Sequence, residues 1–459
     1  MGRSCEPKTR IEAWQTLVHV CRRWRNIVFG SPRRLNLQLY CTPHTPVKDR
    51  LDIWPALPLV VNGFLTLLSD TDNIVAALRQ RNRVCQVDLT GYQMEKVLAP
   101  MQVPFTELTD LQLWSHDLDD ETVIPDTFLD GSAPRLRSLE LNSFSFPGLP
   151  KLLLSATHLV HLHLQYFPDS EYISPEAIVP ALSVMSSLES LKLDLDFSSS
   201  DDSDTDRESS NLPPQKRSIL PALADLYFEG RLQYLEELVT LIDTPQLDKT
   251  CIVFSPQNEF NFDCSQLVQF INRTPKLRAL DEARVQFHDY TTRLRLRYQT
   301  YKTSWDELVI DISCCVSSDL QLWTIEHVCN PSLHLLSTVE DLYIDHRICE
   351  LNWNNDAIGN DLWLELLLPF IAVKNLYLSE EFAPGIAAAL EELDADRITE
   401  VLPSLQNIFV KALEPSSGHF EEYVGQFEEY FGQFVAARQL SNHTIAISVW
   451  DRISWMLSM

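Results

Sequence analysis

One hydrophobic pattern recurs along most of the chain: an apolar residue, two variable residues, a second apolar residue, one variable residue and a third apolar residue. The last two apolar positions alternate, so they would lie on one face of a short β-strand. A single strand cannot bury such a face, which predicts stacked parallel neighbours that share one core. The clearest copies are Leu108/Leu111/Leu113, Leu136/Leu139/Leu141, Leu159/Leu162/Leu164, Leu188/Leu191/Leu193, Val339/Leu342/Ile344, Val373/Leu376/Leu378 and Leu405/Ile408/Val410.

The spacing of these copies resembles that of leucine-rich repeats. Successive copies from Val84 to Leu223 start 23 to 35 residues apart, and segments such as 175–182 between them have helical patterns. The predicted fold class is therefore α/β, a leucine-rich-repeat solenoid with a curved parallel sheet and outer helices. Leucine-rich repeats usually carry Asn or Cys three residues after the third apolar position. Here that position holds His116, Phe144 or Phe167, which predicts irregular repeats. A leucine-rich α/β protein of another kind is the alternative.

The pattern also predicts the domain organisation. The solenoid spans residues 84–420, and residues 36–83 are predicted to be a linker and N-terminal cap. Residues 197–217 are rich in Ser and Asp and are predicted to form a disordered acidic insertion. Residues 421–459 begin with a doubled heptad and are predicted to supply a C-terminal capping helix and a last strand.

Charge is distributed unevenly along the chain. The formal net charge is −27, yet residues 1–50 carry ten Lys or Arg against three Asp or Glu. The acidic remainder would repel nucleic acid and anionic membranes and would attract a basic protein partner, or would serve solubility alone. The chain has no secretory signal, no run of apolar residues long enough to span a bilayer, and no C-x-x-C cysteine pair among its ten cysteines. A cytoplasmic or nuclear location is therefore expected.

The sequence lacks the motifs of common enzymes. It contains no G-x-S-x-G, Gly-Lys-Ser/Thr, G-x-G-x-x-G or H-E-x-x-H segment. His161 and His163 share a strand face, but no third ligand lies at a suitable spacing for a metal. The chain is accordingly predicted to be no enzyme and to hold neither a cofactor nor a metal.

Residues 11–40 contain a basic amphipathic helix with the segment Leu17-Val-His-Val-Cys-Arg-Arg-Trp24. This segment resembles the second half of an F-box, as found in fungal F-box proteins with degenerate leucine-rich repeats, and residues 1–35 are assigned to it. The resemblance implies docking on the Skp-type adaptor of an SCF cullin–RING ubiquitin ligase. The residues it implies for this contact are Leu17, Val20, Cys21, Trp24 and Ile27.

The Leu-Pro-x-Glu start of the first F-box helix has no counterpart here. Either the sequence is truncated or the adaptor contact has been lost, in which case Trp24 would cap the first repeat. Two functions follow. The chain is a substrate-recognition subunit of an SCF ligase, or it is a stand-alone repeat scaffold.

Residues between and after the last two apolar positions are predicted to point onto the concave face, where a substrate would bind. They combine aromatic rings, which give contact area, with carboxylates, which would select Lys or Arg. The predicted contacts are Trp114, Glu140, His163, Tyr227, Glu229, Tyr343, Asp345 and Tyr377.

Overall fold

The computed structural model describes residues 20–30, 38–47, 51, 56–66, 71–116, 122–166, 173–195, 217–255, 262–298, 307–313, 317–330, 332–346, 359–393, 397–411, 425, 427–441 and 443–450. The chain divides into two compact units, residues 1–172 and 173–459. Both are mixed α/β structures, as the periodicity predicts. No described helix has the length and apolar character needed to span a bilayer.

The first unit contains a parallel sheet whose strands follow chain order from β1 to β6. Short helices connect several of these strands. The elements are α1 (Arg22–Gly30), β1 (Leu39–Cys41), β2 (Leu59–Leu65), α2 (Asp72–Leu78), β3 (Val84–Gly91), α3 (Glu95–Leu98), β4 (Asp110–Ser115), β5 (Ser138–Asn142), α4 (Leu149–Ser155) and β6 (His161–Gln165).

The second unit starts with α5 (Pro175–Ser183), β7 (Ser190–Asp194), β8 (Ser218–Ile219), β9 (Asp225–Arg231), α6 (Leu232–Leu241), β10 (Ile242–Asp243), β11 (Lys249–Ser255), α7 (Ser265–Arg273), β12 (Glu282–Phe287), β13 (Thr291–Arg297) and β14 (Glu307–Ser313). It continues with α8 (Ser318–Val328), β15 (Asp341–His346), α9 (Asn360–Leu367), β16 (Asn375–Ser379), α10 (Ala383–Glu391), β17 (Asn407–Lys411), α11 (Gly432–Leu440) and β18 (Ala446–Trp450). Its main sheet has the order β7-β9-β11-β14-β13-β12-β15-β16-β17-β18, and β8 pairs with β10.

The repeated apolar positions form the core of each unit. Leu111, Leu139 and Leu162 are register partners on β4, β5 and β6, and each side chain is at most 1% exposed. Leu342, Leu376 and Ile408 occupy the equivalent positions on β15, β16 and β17 and are fully buried. Alternation along each strand thus buries one face and leaves the other available for polar and aromatic residues. This arrangement is consistent with leucine-rich repeats, while the solenoid itself stays a prediction.

Two parts of the sheet were not expected from the sequence. Residues 36–83 contain β1, β2 and α2, so the sheet begins upstream of the first predicted copy at Val84. Strands β12, β13 and β14 form an antiparallel meander inside the parallel sheet. The backbone amide of His288 donates to the Thr291 carbonyl and closes the turn between β12 and β13. Strand β12 follows the repeat pattern at Leu280, Ala283 and Val285, but with alanine at the middle apolar position, and β13 has Thr291 in place of the first apolar residue, so both strands went unrecognised.

The ends of the predicted solenoid and its acidic insertion are only partly described. Residues 197–216 lie outside the described residues, as do residues 421–424 and 426 of the doubled heptad. Helix α11 and strand β18 lie in the segment assigned to a capping helix and last strand.

Candidate protein-binding surfaces

The outward face of the first unit carries a row of polar side chains on adjacent strands. Strand register aligns them in the order Asn62, Asp88, Gln112, Glu140 and His163, which we call the carboxylate row. The Asn62 amide donates to Asp88 Oδ2 over 2.5 Å. Glu140 Oε1 lies 3.6 Å from His163 Nδ1. The row therefore presents two carboxylates that neighbouring side chains hold in position.

A groove of about 310 Å³ lies beside the carboxylate row. Burial raises the pKa of Asp88 above its usual value, and the charge of Glu140 raises it further, although the hydrogen bond from Asn62 opposes this. A cation in the groove would relieve the repulsion between these carboxylates. The described residues that line the groove include no lysine or arginine; they are Tyr40, Val60, Asn62, Gln86, Val87, Asp88, Asp110, Leu111, Gln112, Ser138 and Glu140.

Trp114 and Glu140, both predicted substrate contacts, lie together on this face. Trp114 Nε1 donates to Glu140 Oε1 over 3.2 Å, which fixes the indole beside the carboxylate. His163 follows on the next strand. The structure thus brings three predicted residues of the first unit into one cluster. Their role in binding stays a prediction.

A second outward row crosses the sheet of the second unit. Register aligns Arg295, Arg284, Tyr343, Tyr377 and Phe409 on β13, β12, β15, β16 and β17, and we call this the aromatic–arginine row. The Tyr343 and Tyr377 rings stack with centroids 4.2 Å apart and planes 6° apart. Phe409 extends the stack, with its centroid 4.7 Å from that of Tyr377. Arg284 Cζ lies 4.7 Å from the Tyr343 centroid and covers the other end of the stack.

Asp345 lies next to this row but does not offer an open carboxylate. It is 7% exposed, and its Oδ1 accepts a 2.8 Å hydrogen bond from the Gln286 amide. Its Oδ2 lies 3.9 Å from Arg284 Nε. The sequence-based view of Asp345 as an exposed substrate contact is therefore corrected: it neutralises a buried arginine within the sheet.

Burial also changes the proton affinities of the row. Desolvation lowers the pKa of Arg284, while the charges of Asp345 and Glu282 raise it. Desolvation raises the pKa of Tyr343 above its usual range, and the pKa of Tyr377 rises for the same first reason. Both phenols therefore stay protonated at neutral pH, so they can donate hydrogen bonds.

Strand β13 adds arginines that the sequence analysis missed. Arg293 donates through Nε and Nη2 to the two carboxylate oxygens of Asp311 over 2.5 and 2.6 Å. Arg297 Nε donates to Glu282 Oε1 over 2.7 Å. The signal for this strand was the alternation Thr-Thr-Arg-Leu-Arg-Leu-Arg over residues 291–297, in which the leucines are buried. The predicted tyrosines are therefore accompanied by arginines as well as carboxylates.

The third predicted tyrosine lies elsewhere on the same sheet. Tyr227 on β9 donates a hydrogen bond to Glu229, and its neighbour by register is Cys251 on β11. Strands β11, β14, β13 and β12 separate β9 from β15. Tyr227 and Glu229 therefore form a local pair, separate from the stacked rings of Tyr343 and Tyr377.

Helix α1 exposes Trp24 and Ile27, and its neighbour Val20 is exposed as well. The exposed fractions are 62% for Val20, 46% for Trp24 and 53% for Ile27, and Cys21 is also exposed. Leu17 lies outside the described residues. An exposed tryptophan beside two aliphatic side chains is unusual for a solvated helix face and typical of a contact surface.

Comparisons with known proteins give one distant structural likeness and no sequence match. No protein-family model matches the chain, and no curated protein sequence matches it. Among solved structures, the chain is similar to the leucine-rich repeat-containing protein LegL7 from Legionella pneumophila, with 12% identity, a TM-score of 0.24, and coverage of 86% of this chain and 98% of that one. At that TM-score the likeness carries no argument. The F-box resemblance is without support from these comparisons and stays a prediction.

Proposed function

We propose that the chain is a protein-binding repeat protein that serves as the substrate-recognition subunit of an SCF ubiquitin ligase. The observation that carries the proposal is the exposed apolar cluster of Val20, Trp24 and Ile27, because it coincides with the segment that resembles an F-box. This cluster would dock on the Skp-type adaptor. The outward faces of the two units would then hold the substrate.

The carboxylate row supports a basic segment as the substrate contact of the first unit. Asp88 and Glu140 face a groove without lysine or arginine among its described lining, so a Lys or Arg side chain of a partner would be attracted to these carboxylates. Trp114 beside Glu140 would pack on the aliphatic stem of that side chain. The cationic partner therefore fits the sequence-based expectation of a basic substrate.

A stand-alone scaffold is the second candidate. The carboxylate row and its groove favour it, because this surface would need no adaptor in order to bind a partner. In that case Trp24 and its neighbours would contact something other than the adaptor.

Co-purification with a Skp-type adaptor distinguishes the two candidates. We expect the wild-type chain to retain the adaptor and Trp24→Ala to reduce recovery by roughly tenfold or more, as truncation of a central aromatic contact commonly does. Tyr290→Ala is the matched control, since Tyr290 is 65% exposed and lies in the second unit. A wild-type chain that captures no adaptor would exclude the ligase function and favour the scaffold.

A labelled Lys-rich peptide tests the substrate contact separately. We expect the double variant Asp88→Asn, Glu140→Gln to weaken binding by roughly tenfold at low salt, because two of the carboxylates that face the groove lose their charge. Glu400→Gln serves as control, because Glu400 is exposed and lies in the second unit. Equal weakening by the control would show that net charge alone attracts the peptide.

A further inference from the structure

We propose that a groove beside helix α2 of the first unit is a docking site for an acidic peptide segment that also carries apolar side chains. The inference goes beyond the proposed function, because this groove is separate from the carboxylate row and suits the opposite partner charge.

The groove is lined by residues of helices and of the segments that follow them, not by strands. It has a volume of about 550 Å³ and lies between α2 and residues 96–103, which include the end of α3. Ligand sites commonly have volumes of roughly 300–1,000 Å³, so several side chains of a partner can fit. The groove is open to solvent, so the chain on either side of a docked segment need not be buried. We call it the basic groove.

The described lining of the basic groove carries three cations and one carboxylate. Arg79 and Arg81 follow the C-terminal end of α2, Lys96 lies on α3, and Asp72 lies in the first turn of α2. A helical rise of about 1.5 Å per residue places Asp72 roughly 10 Å from Arg79 along the helix. The carboxylate therefore lies at the opposite end of α2 from the arginines, and the cations outnumber it.

The charges of these cations are not compensated within the described part of the chain. Arg79, Arg81 and Lys96 are exposed, and none of them forms an ion pair with a carboxylate among the described residues. Lys96 Nζ donates to Gln93 Oε1 over 2.7 Å, but this partner is neutral. Arginines of β13 differ in this respect, because Arg293 and Arg297 pair with carboxylates. The basic groove can therefore attract an anionic partner.

The rest of the described lining is largely apolar. Leu78 is fully buried, and Val75 and Val103 are half-buried. A segment with alternating character could bury its apolar side chains against this wall while its carboxylates meet the cations. The apolar residues that line the groove are Val75, Leu78, Ala99, Pro100 and Val103.

The charge of the whole chain favours a short acidic segment over a long polyanion. The formal net charge is −27, so a nucleic acid that extends beyond the basic groove would meet an acidic protein. A short peptide can place its few charges beside the three cations. The combination of cations and an apolar wall therefore identifies the partner as an acidic, partly apolar peptide segment.

Fluorescence anisotropy with the full chain tests the proposal. The probes are short labelled peptides that consist of Glu-Leu-Ser repeats, of Glu-Ser-Ser repeats or of Lys-Ser-Ser repeats. We expect the Glu-Leu-Ser peptide to bind more tightly than the Glu-Ser-Ser peptide, because only the former can use the apolar wall. Its binding should weaken as salt is added.

The double variant Arg79→Gln, Arg81→Gln should weaken binding of the Glu-Leu-Ser peptide by roughly tenfold. Arg135→Gln, Arg137→Gln is the matched control, because it removes two exposed arginines with the same spacing from the first unit, outside the lining of the basic groove. The control should bind the peptide as the wild type does. Neither double variant should weaken binding of the Lys-Ser-Ser peptide.

Two further variants test the groove in other ways. Asp72→Asn removes the one carboxylate of the described lining and should tighten binding of the Glu-Leu-Ser peptide severalfold. A misfolded variant would not bind more tightly, so this result does not depend on the stability of the arginine variants. Val75→Ser should weaken binding of the Glu-Leu-Ser peptide and leave binding of the Glu-Ser-Ser peptide unchanged.

Absence of binding by the Glu-Leu-Ser peptide, or equal losses in the two double arginine variants, would overturn the proposal. Inorganic phosphate is a further probe. If phosphate raises the melting temperature only when Arg79 and Arg81 are present, and no acidic peptide binds, the groove is a site for small anions and the peptide proposal is wrong. These results are independent of adaptor capture and of Lys-peptide binding, which test the proposed function.

Discussion

One buried arginine, Arg438, and one partly buried arginine, Arg273, complete the hydrogen bonding of backbone segments that lie 31 to 37 residues earlier in the chain. Arg273, in the last turn of α7, donates to the Ile242 carbonyl over 3.0 Å, also donates to the Val239 carbonyl, and pairs with Asp243. Arg438, in the last turn of α11, donates through Nη2 to the carbonyls of Val401 and Leu402 over 2.5 and 2.9 Å. Buried carbonyls need such donors, and one guanidinium can serve two of them.

Arg438→Met tests the value of this contact at the level of a single residue. Arg438 is 1% exposed, so the change leaves two buried carbonyls without these donors while it keeps most of the apolar length against Phe434. We expect the free energy of unfolding to fall by about 3 kcal/mol, measured as a lower midpoint in urea. The exposed Arg397→Met should change it by less than about 0.5 kcal/mol. An unchanged midpoint for Arg438→Met would mean that water replaces the guanidinium.

At the scale of elements, one helix supplies the cap of the next. Helix α7 starts at Ser265, and its preceding residue Cys264 makes no side-chain capping hydrogen bond. Instead, the carboxylate of Glu236 on α6 accepts hydrogen bonds of 2.8 Å from the backbone amides of both Gln266 and Leu267. The first amides of a helix have no partners within the helix, so a carboxylate there is stabilising. This contact also fixes α7 against α6.

The titration of Glu236 at this cap predicts that the stability of the folded state depends on pH. Desolvation raises the pKa of Glu236 from 4.5 to about 7, although the two amide hydrogen bonds lower it in part. Between these values the folded state retains a proton that the unfolded state has released, so this residue's contribution to stability falls as pH rises from about 4.5 to about 7. Glutamine at this position cannot titrate, so Glu236→Gln should lack this part of the dependence of stability on pH.

Melting temperatures at several pH values between about 4 and 7.5, a window that brackets this titration, provide the measurement. Relative to the wild type, Glu236→Gln should gain stability as the pH rises through the window. Glu237→Gln is the matched control on the same helix, since its side chain is exposed, and it should keep the slope of the wild type. Parallel curves for Glu236→Gln and the wild type would contradict the raised pKa.

At the scale of the molecule, the sequence predicts what depends on local periodicity and misses what depends on distant pairing. Leu376 and Ile408 could be assigned to the core because each belongs to a complete copy of the pattern. Strand β13 could not, because it lacks the first apolar residue and pairs antiparallel with both neighbours, and β12 was missed because alanine occupies its middle apolar position. For the same reason the sequence analysis did not place Arg284 and Arg295 in one row with Tyr343, because only strand register aligns these residues.

Nearest-neighbour stacking within the second unit predicts which strands a cavity-forming substitution destabilises. In repeat architectures each strand is stabilised mainly by the strands on either side, so a cavity should loosen its own neighbourhood first. Leu376→Ala, in β16, removes a fully buried side chain and should cost about 2–5 kcal/mol locally. Hydrogen exchange should then accelerate most in β15, β16 and β17 and least in β7 and β9.

Leu226→Ala provides the reciprocal experiment, because Leu226 is also fully buried and lies on β9, next to β7 and β11. Its exchange pattern should be the opposite one, with β7, β9 and β11 affected and β16 and β17 protected as in the wild type. The antiparallel meander β12–β14 lies between the two sites in the sheet order, so it is the place where either effect should fade. Uniform acceleration across the unit in both variants would instead show that its strands unfold as one cooperative block, despite their one-by-one pairing.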